Sequence, residues 1–196
     1  NIGYLGVGSK VFIQAQMTTD YVVAGETHKG MITLLNSHDG TSALAAGVTD
    51  TRVICGNTYA MAMGDMTTKL RHNFNIHNEA AHITAVVDFV NANMAAYAEN
   101  AEKLARCKTT IVKAVQVIEA AYNKPFENIR GANNIVKLFR NGAGNDGSTL
   151  YDVVNGITDY TSHHAIKDGS KRFASVNFGS NAKINQRAMA AALEMV

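Results

Sequence analysis

The chain has no tryptophan, one proline and two cysteines among 196 residues, and charged side chains make up only 17% of it. Two cysteines, Cys55 and Cys107, are too few for a disulfide framework and lack metal-ligand spacing, which points to a reducing interior. The low charge, with 19 Asn and 28 Ala in its place, excludes a disordered polyelectrolyte. No apolar run reaches the roughly 18 to 20 residues that span a bilayer, because Asp, Glu, Lys or His interrupts the longest helical stretches, so a membrane-spanning protein is not expected. The chain lacks an initiator Met and opens at Asn1 on an apolar, Gly-rich run, from which a missing native N-terminal segment is expected. There is no internal repeat, and the length suits a single domain over residues 1–196 that buries roughly 70% of its unfolded surface. A surface so weakly charged fits either coverage by other subunits or a merely Asn-rich solvated exterior.

The net charge of +2 hides a division. Residues 1–102 carry five Lys/Arg against nine Asp/Glu, whereas residues 103–140 carry eight Lys/Arg against Glu119 and Glu127. Such regional basicity is the electrostatic footprint of polyanion binding, although a charged helix face is more often simply solvated.

Hydrophobic periodicity divides the chain the same way: strand-rich over 1–72, helical over 78–196. Residues 10–17 alternate with the period of two of a strand, and 21–24 and 31–35 are short apolar runs, the first following a Thr-Thr-Asp turn. Asp39-Gly40 marks a hairpin, with a return strand over 41–46, Gly47, and a further strand over 51–55. Residues 57–63 read as a short helix capped by Asn57, and 69–72 as another strand. A helix from Asn78 buries Ile83, Val86, Val87, Val90, Met94 and Tyr97, and a second, or the same one bent, buries Ile111, Val115, Ile118 and Tyr122. Pro125 suits the first position of the next helix, whose buried side is Ile129, Ala132, Val136 and Phe139. The Gly/Asn run 141–147 is a loop, and Thr149 with Asp152 forms a capping box for a helix burying Leu150, Val153, Val154, Ile157 and Tyr160. Residues 167–180 read as irregular and 181–195 as a final helix. The fold class is α+β, an N-terminal antiparallel β-meander followed by a mostly helical C-terminal two-thirds.

Basic stripes are the first candidate site. If residues 100–120 were one helix, Lys103, Arg106 and Lys113 would fall within about an 80° arc. Arg130, Lys137 and Arg140 repeat those offsets, and Lys183 and Arg187 form an i, i+4 pair. A row of cations matches the repeating phosphates of a strand without reading its sequence, and Phe12, Tyr21, Tyr59, Phe173 and Phe178 are candidate stacking partners. Other constellations are weaker. His72, His77 and His82 are spaced by five, which scatters them around a helix, and His163-His164 reads as a helix-end pair, so no metal is expected. Ser37-His38-Asp39 has the residue types of a catalytic triad but reads as a turn, because triads are assembled from separated positions. Cys55 reads as a structural thiol. Gly3-x-x-Gly6-x-Gly8 lacks the strand and helix of a dinucleotide fingerprint, and no cofactor is expected. An anion could rest where 177–181 leads into the Lys183/Arg187 helix, with an ordinary cap as the plainer reading.

The runs Leu34-Leu35-Asn36-Ser37-His38-Asp39-Gly40-Thr41-Ser42-Ala43, Arg52-Val53-Ile54-Cys55-Gly56-Asn57-Thr58 and Leu70-Arg71-His72 resemble a family of phage/plasmid-like proteins that share a domain of unknown function. Residues 151–163, Phe178-Gly179-Ser180 and the 183–188 helix are similar to that family's closing motif. Two departures stand out: family members extend further at the N-terminus, and the Thr-Pro usual before the Arg-Val strand is here Thr49-Asp50-Thr51. The resemblance implies a phage, prophage or plasmid origin and the cytoplasm of a bacterial host, and it implies no catalytic residue. The order of a β-meander followed by basic helices is also similar to the core of single-strand annealing recombinases, as fold-level analogy.

The leading expectation is a single-stranded DNA binding or annealing protein that acts as a homo-oligomer, without metal or nucleotide. Its backbone contacts would come from Arg52, Lys69 and Arg71 near the sheet, or from the stripes on the helices. The alternative is a phage structural or assembly protein whose helices are subunit contacts. A third is an enzyme in which His38, Asp39, Asn57, Arg71 and His72 converge near the 36–40 turn.

Overall fold

The structure is a computed structural model that describes residues 2–5, 8–39, 44–52, 54, 56–60, 69–70 and 81–196. Among these, strands β1 (Ile2–Leu5), β2 (Lys10–Val23), β3 (Glu26–Ser37), β4 (Leu44–Arg52) and β5 (Asn57–Ala60) form an antiparallel sheet in chain order, and β6 (Lys69–Leu70) also pairs with β4. Six α-helices follow: α1 (Ala81–Arg106), α2 (Ile111–Tyr122), α3 (Ala132–Asn141), α4 (Leu150–Asp159), α5 (Gly169–Phe178) and α6 (Ser180–Leu193). The α+β class is as expected, with several local differences.

The expected turn at 18–20 is instead an irregularity within a single long β2, whose pairing with β3 shifts between Gln16 and Asp20. The chain reverses later, at Ala24-Gly25, where φ is 50° and 80°. Two successive positive φ values give the two-residue turn whose twist suits a hairpin, and Gly25 accepts that geometry without a Cβ penalty. The two strands expected over 41–46 and 51–55 merge into β4, with Gly47 paired to Thr33 rather than breaking the strand. Asn57–Ala60 is a strand, not the start of a helix: Gly56 adopts φ 65° and its N–H bonds Arg52 O at 2.8 Å, turning the chain back along the open side of β4. There the ladder from Thr49↔Ala60 to Arg52↔Asn57 overrides local helix preference. Residues 61–68, and Arg71 and His72, lie outside the described residues.

The helical region also breaks where composition suggested continuity. α1 ends at Arg106 and α2 begins after Thr110, whose side chain accepts from Lys113 N. Between them the chain runs extended against the loop before α4: Lys108 bridges Thr149, Thr109 N donates to Ser148 O at 2.9 Å, and Leu150 N donates to Cys107 O at 3.0 Å. Pro125 caps a single 3-10 turn, Phe126–Asn128, rather than opening the helix, and α3 starts only after Gly131, at φ 82°. Residues expected to be irregular form α5, with Asp168 capping Lys171 N at 2.8 Å. The capping box at Thr149 and Asp152 forms as expected.

All ten residues of α4 are buried, because α1, α2, α3 and α6 each pack on it. Its Leu150, Val153, Val154 and Ile157 meet Leu104, Val117, Ile118, Ile135 and Phe139, and the sheet contributes Val23 and Val48 to the same cluster. On the inner side of β3, Gly30 makes room for Met94 of α1; toward the other end of β3 the buried residues are Thr33, Leu35 and Ser37, on the opposite face. Phe12, paired with Leu35, stacks on Phe173 of α5 with centroids 4.0 Å apart. The tightest helix crossing is α3 on α4, where a Cβ on Gly156 would lie 2.7 Å from Phe139 N and 2.9 Å from its Cα.

Because that neighbour is backbone, no rotamer change relieves the clash. Gly156→Ala is therefore expected to cost about 1–3 kcal/mol despite its better helix propensity, lowering the thermal midpoint by roughly 2–4 °C per kcal/mol. A circular dichroism melt checks this, and an unchanged or raised midpoint would show that the two helices separate easily.

Candidate functional site

The inner face of the sheet carries polar groups where a core would ordinarily be apolar. Tyr21 pairs with His28 and His28 with Arg52, so the three stand in a row across β2, β3 and β4, with Asp50 two residues along β4 on the same face. His28 is fully buried, with Nδ1 2.7 Å from Asp50 Oδ2 and Nε2 3.0 Å from Tyr151 Oη on the first turn of α4. Tyr21 donates its hydroxyl to the other Asp50 oxygen. With an ionised Asp50, the arrangement that satisfies every group has Tyr151 donating to Nε2 and Nδ1 donating to Asp50. Burial, then the adjacent Asp50 carboxylate, holds the Tyr21 phenol above its ordinary pKa, and burial does the same to Tyr151.

Two residues beyond Asp50 on β4, Arg52 forms a bidentate ion pair with Glu26. It also donates to Ala143 O and Gly144 O at 3.0 Å and to Asn145 Oδ1 at 3.1 Å, with its guanidinium carbon 5.7 Å above the Tyr151 ring. Gly144, at φ 73°, lies so close that a Cβ would overlap Arg52 and Glu26. A cleft of about 310 Å³ borders this network, lined in part by Glu26, Asn145, Asp146, Tyr151 and Asp152. Burial raises the Asp152 pKa, whereas its hydrogen bond with Ser148 lowers that of Asp146. Tyr151, His28 and Asp50 have the order of a proton relay, but Tyr151 is only 4% exposed and its hydroxyl is turned inward to the histidine. What the arrangement does physically is dock α4 and the 143–145 loop onto the sheet.

The expected nucleic-acid contacts fall into different settings. Arg52 departs from the expectation most: at 2% exposure, paired with Glu26, its guanidinium is not presented to a phosphate. Lys69 lies in β6, and Arg71 falls outside the described residues. The break at 107–110 divides the first stripe, because Lys103 and Arg106 belong to the last turn of α1 and Lys113 to the first turns of α2, so the single-helix arc does not form. Lys103 pairs with Glu99 at 2.8 Å and Arg106 with Glu102 at 3.9 Å, both i, i+4 pairs with the cation exposed, Glu102 being half-buried. Arg130 precedes α3 and so does not share a helix face with Lys137 and Arg140. All three are exposed, as are Lys113 and Lys183. Arg187 caps another helix, donating from Nε to Ala121 O at 2.7 Å near the C-terminal end of α2. The loop before α4 gathers two cations: Lys108 donates to Ser148 Oγ at 3.0 Å, and Arg140 lies against Gly147.

Of the five residues expected to converge near the 36–40 turn, Arg71 and His72 lie outside the described residues. Ser37 donates to Asp39, and His38 and Asp39 are exposed. Sequence reasoning takes Tyr21 for a stacking partner, whereas its hydroxyl is bound to Asp50, and it assigns no site role to Glu26, His28, Asp50 or Tyr151. The available signal was that Glu26 and His28, like Asp50 and Arg52, are two apart in strands, which puts all four on one face once the β3–β4 register is known.

Tyr151→Phe keeps the ring beneath Arg52 and leaves His28 Nε2 without its donor, at an expected cost of about 1–3 kcal/mol. Urea unfolding of this variant, read as a lower midpoint at unchanged slope, tests the docking role, and a midpoint equal to that of the parent would refute it.

Among the described residues no helix is long and apolar enough to cross a membrane, and no group of three or more His, Cys, Asp or Glu is placed to hold a metal ion. No curated protein and no solved structure matches the chain. A family model described as Domain of unknown function (DUF932) matches residues 1–191, and the chain therefore belongs to that family.

Proposed function

We propose that this DUF932 protein, of phage or plasmid origin, binds and anneals single-stranded DNA as a homo-oligomer. The observation that carries the reading is the exposed, unneutralised charge of the helical region. Lys113, Arg130, Lys137, Arg140 and Lys183 are exposed, and no carboxylate pairs with them among the described residues. Lys103 is paired with the exposed Glu99, and Arg106, itself exposed, reaches the half-buried Glu102 only at 3.9 Å; such pairs hold their cations so weakly that phosphates can compete for them. Backbone contacts of this kind give affinity without sequence preference, as an annealing protein requires. The order of an antiparallel meander followed by basic helices supports the reading by analogy with single-strand annealing recombinases. Arg52 has no part in it.

An assembly role without nucleic acid has its own observation. On the outer strand of the described sheet Ile2 is 74% and Tyr4 66% exposed, and Ile13, paired with Ile2, is 47% exposed. An apolar strip on a strand edge suits contact with another subunit.

Affinity for a fluorescent oligo-dT, titrated against salt, separates the two readings. Single-strand contacts contribute a slope of about −0.7 each, so four engaged cations give about −3 on log–log axes. Combined reversal of Lys113, Arg130, Lys137 and Arg140 to Glu is expected to abolish binding at about 150 mM salt while leaving the melting curve close to that of the parent. No measurable binding by the parent at about 50 mM salt, with large particles in light scattering, would replace the annealing reading with the assembly one.

A further inference from the structure

A second cleft, of about 260 Å³, opens at the other end of α4, where the helix continues into a π-helical turn, Tyr160–His164, and meets α5. The turn is closed by Ala165 N donating to Tyr160 O at 2.9 Å, one residue wider than an α-helical bond. Such a turn re-aims the side chains that follow and is frequent at functional sites. Here Thr161 stays buried, while His163 is exposed and, with Ser162, forms one wall of the cleft. α5 supplies the opposite wall through Arg172, Phe173 and Asn177.

Three features of these walls point to a ligand. Asn177 is 8% exposed; its Nδ2 donates to Phe173 O at 2.8 Å, which fixes the amide and leaves Oδ1 buried with no donor. A buried acceptor left unpaired is costly, and a ligand N–H would satisfy it. Arg172 is half-buried, tied through Nη1 to Ile166 O at 3.3 Å, and has no carboxylate partner among the described residues. Its planar fork suits a phosphate, and His163 stands across the same cleft. Phe173, braced by its stack on Phe12, offers an aromatic wall beside that cation. Cation, aromatic surface and an acceptor-only amide are the complements of a phosphate, a base and a base N–H. The volume lies at the small end for ligand sites, which fits one nucleotide rather than two.

We infer that this cleft holds a single nucleotide, with its phosphate on Arg172 and His163, its base against Phe173, and an amino or ring N–H of that base donated to Asn177 Oδ1. The nucleotide comes either from a bound single strand, which rests on the proposed function above, or from a free mononucleotide, which does not.

Calorimetric titration with dAMP tests the inference. Binding is expected, at least tenfold weaker for deoxyadenosine and for deoxyribose 5-phosphate. Arg172→Gln is expected to cost tenfold or more for dAMP without moving the thermal midpoint appreciably. Asn177→Leu is expected to weaken dAMP while leaving deoxyribose 5-phosphate unchanged, and Arg172→Gln serves alone if that variant does not fold. Oligo-dA that displaces dAMP, with Arg172→Gln weakening both, assigns the cleft to the strand. Oligo-dA that binds nowhere while dAMP binding stays Arg172-dependent assigns it to free nucleotides and removes only the single-strand reading. Absence of dAMP binding at millimolar concentration, or binding indifferent to Arg172→Gln, would overturn the site.

Discussion

The sheet turns Glu26, His28, Asp50 and Arg52 toward the helices, and the last three, taken out of water, demand partners in fixed places. Asp50 and Glu26 are met within the sheet, by Tyr21 with His28 and by Arg52, and the demands that remain are met by one short stretch of chain. The Ala143 and Gly144 carbonyls and the Asn145 side chain complete Arg52, and Tyr151 completes His28. An apolar contact tolerates sliding, but these hydrogen bonds lose their geometry within a fraction of an ångström to an ångström or so. The loop before α4 therefore has one place to go. Its consequences spread along the sequence: Gly144 is needed because a Cβ would strike the ion pair, and the capping box starts α4 at a residue that delivers Tyr151. The extended segment 107–110 pairs with the same loop, which separates α1 from α2.

Legibility of the fold from the sequence followed the range of the interactions. The capping box needs two residues three apart, and the alternation of 10–17 needs no more than its neighbours, so both are plain in the letters. The strand over 57–60 exists because β4 offers an open side, and no local pattern announces that. The break between α1 and α2 is similarly non-local, since Lys103, Arg106 and Lys113 keep helical spacing across a gap that pairing with the loop before α4 creates. The Ala24-Gly25 turn is hidden for a different reason: a non-glycine residue at φ 50° is uncommon, and Thr-Thr-Asp nearby has more of a turn's composition.

The same distinction separates what was visible of the candidate sites. Regional basicity is a property of composition and is carried into the structure as exposed cations on the helical region. The angular alignment of those cations depended on a continuous helix and does not survive its absence. Arg52 is the instructive case, because an arginine in a strand of the sheet looks available until the register sets it opposite His28 and beside Glu26. Its positive charge is neutralised inside the molecule, whereas the exposed cations Lys113, Arg130, Lys137, Arg140 and Lys183 lie in the helical region.

α4 then takes on a meaning beyond packing. It is buried along its whole length of ten residues, about 15 Å, and each end carries a polar arrangement: the Tyr151 contact to the sheet at one, the π-helical turn and its cleft at the other. A helix gripped on all sides moves as a rigid body or not at all. The positions of Ser162 and His163 are thus set by where the first turn docks, and that docking is set by His28 and Arg52. The buried polar row thus bears on the geometry of a cleft where a buried acceptor, a cation and an aromatic wall converge.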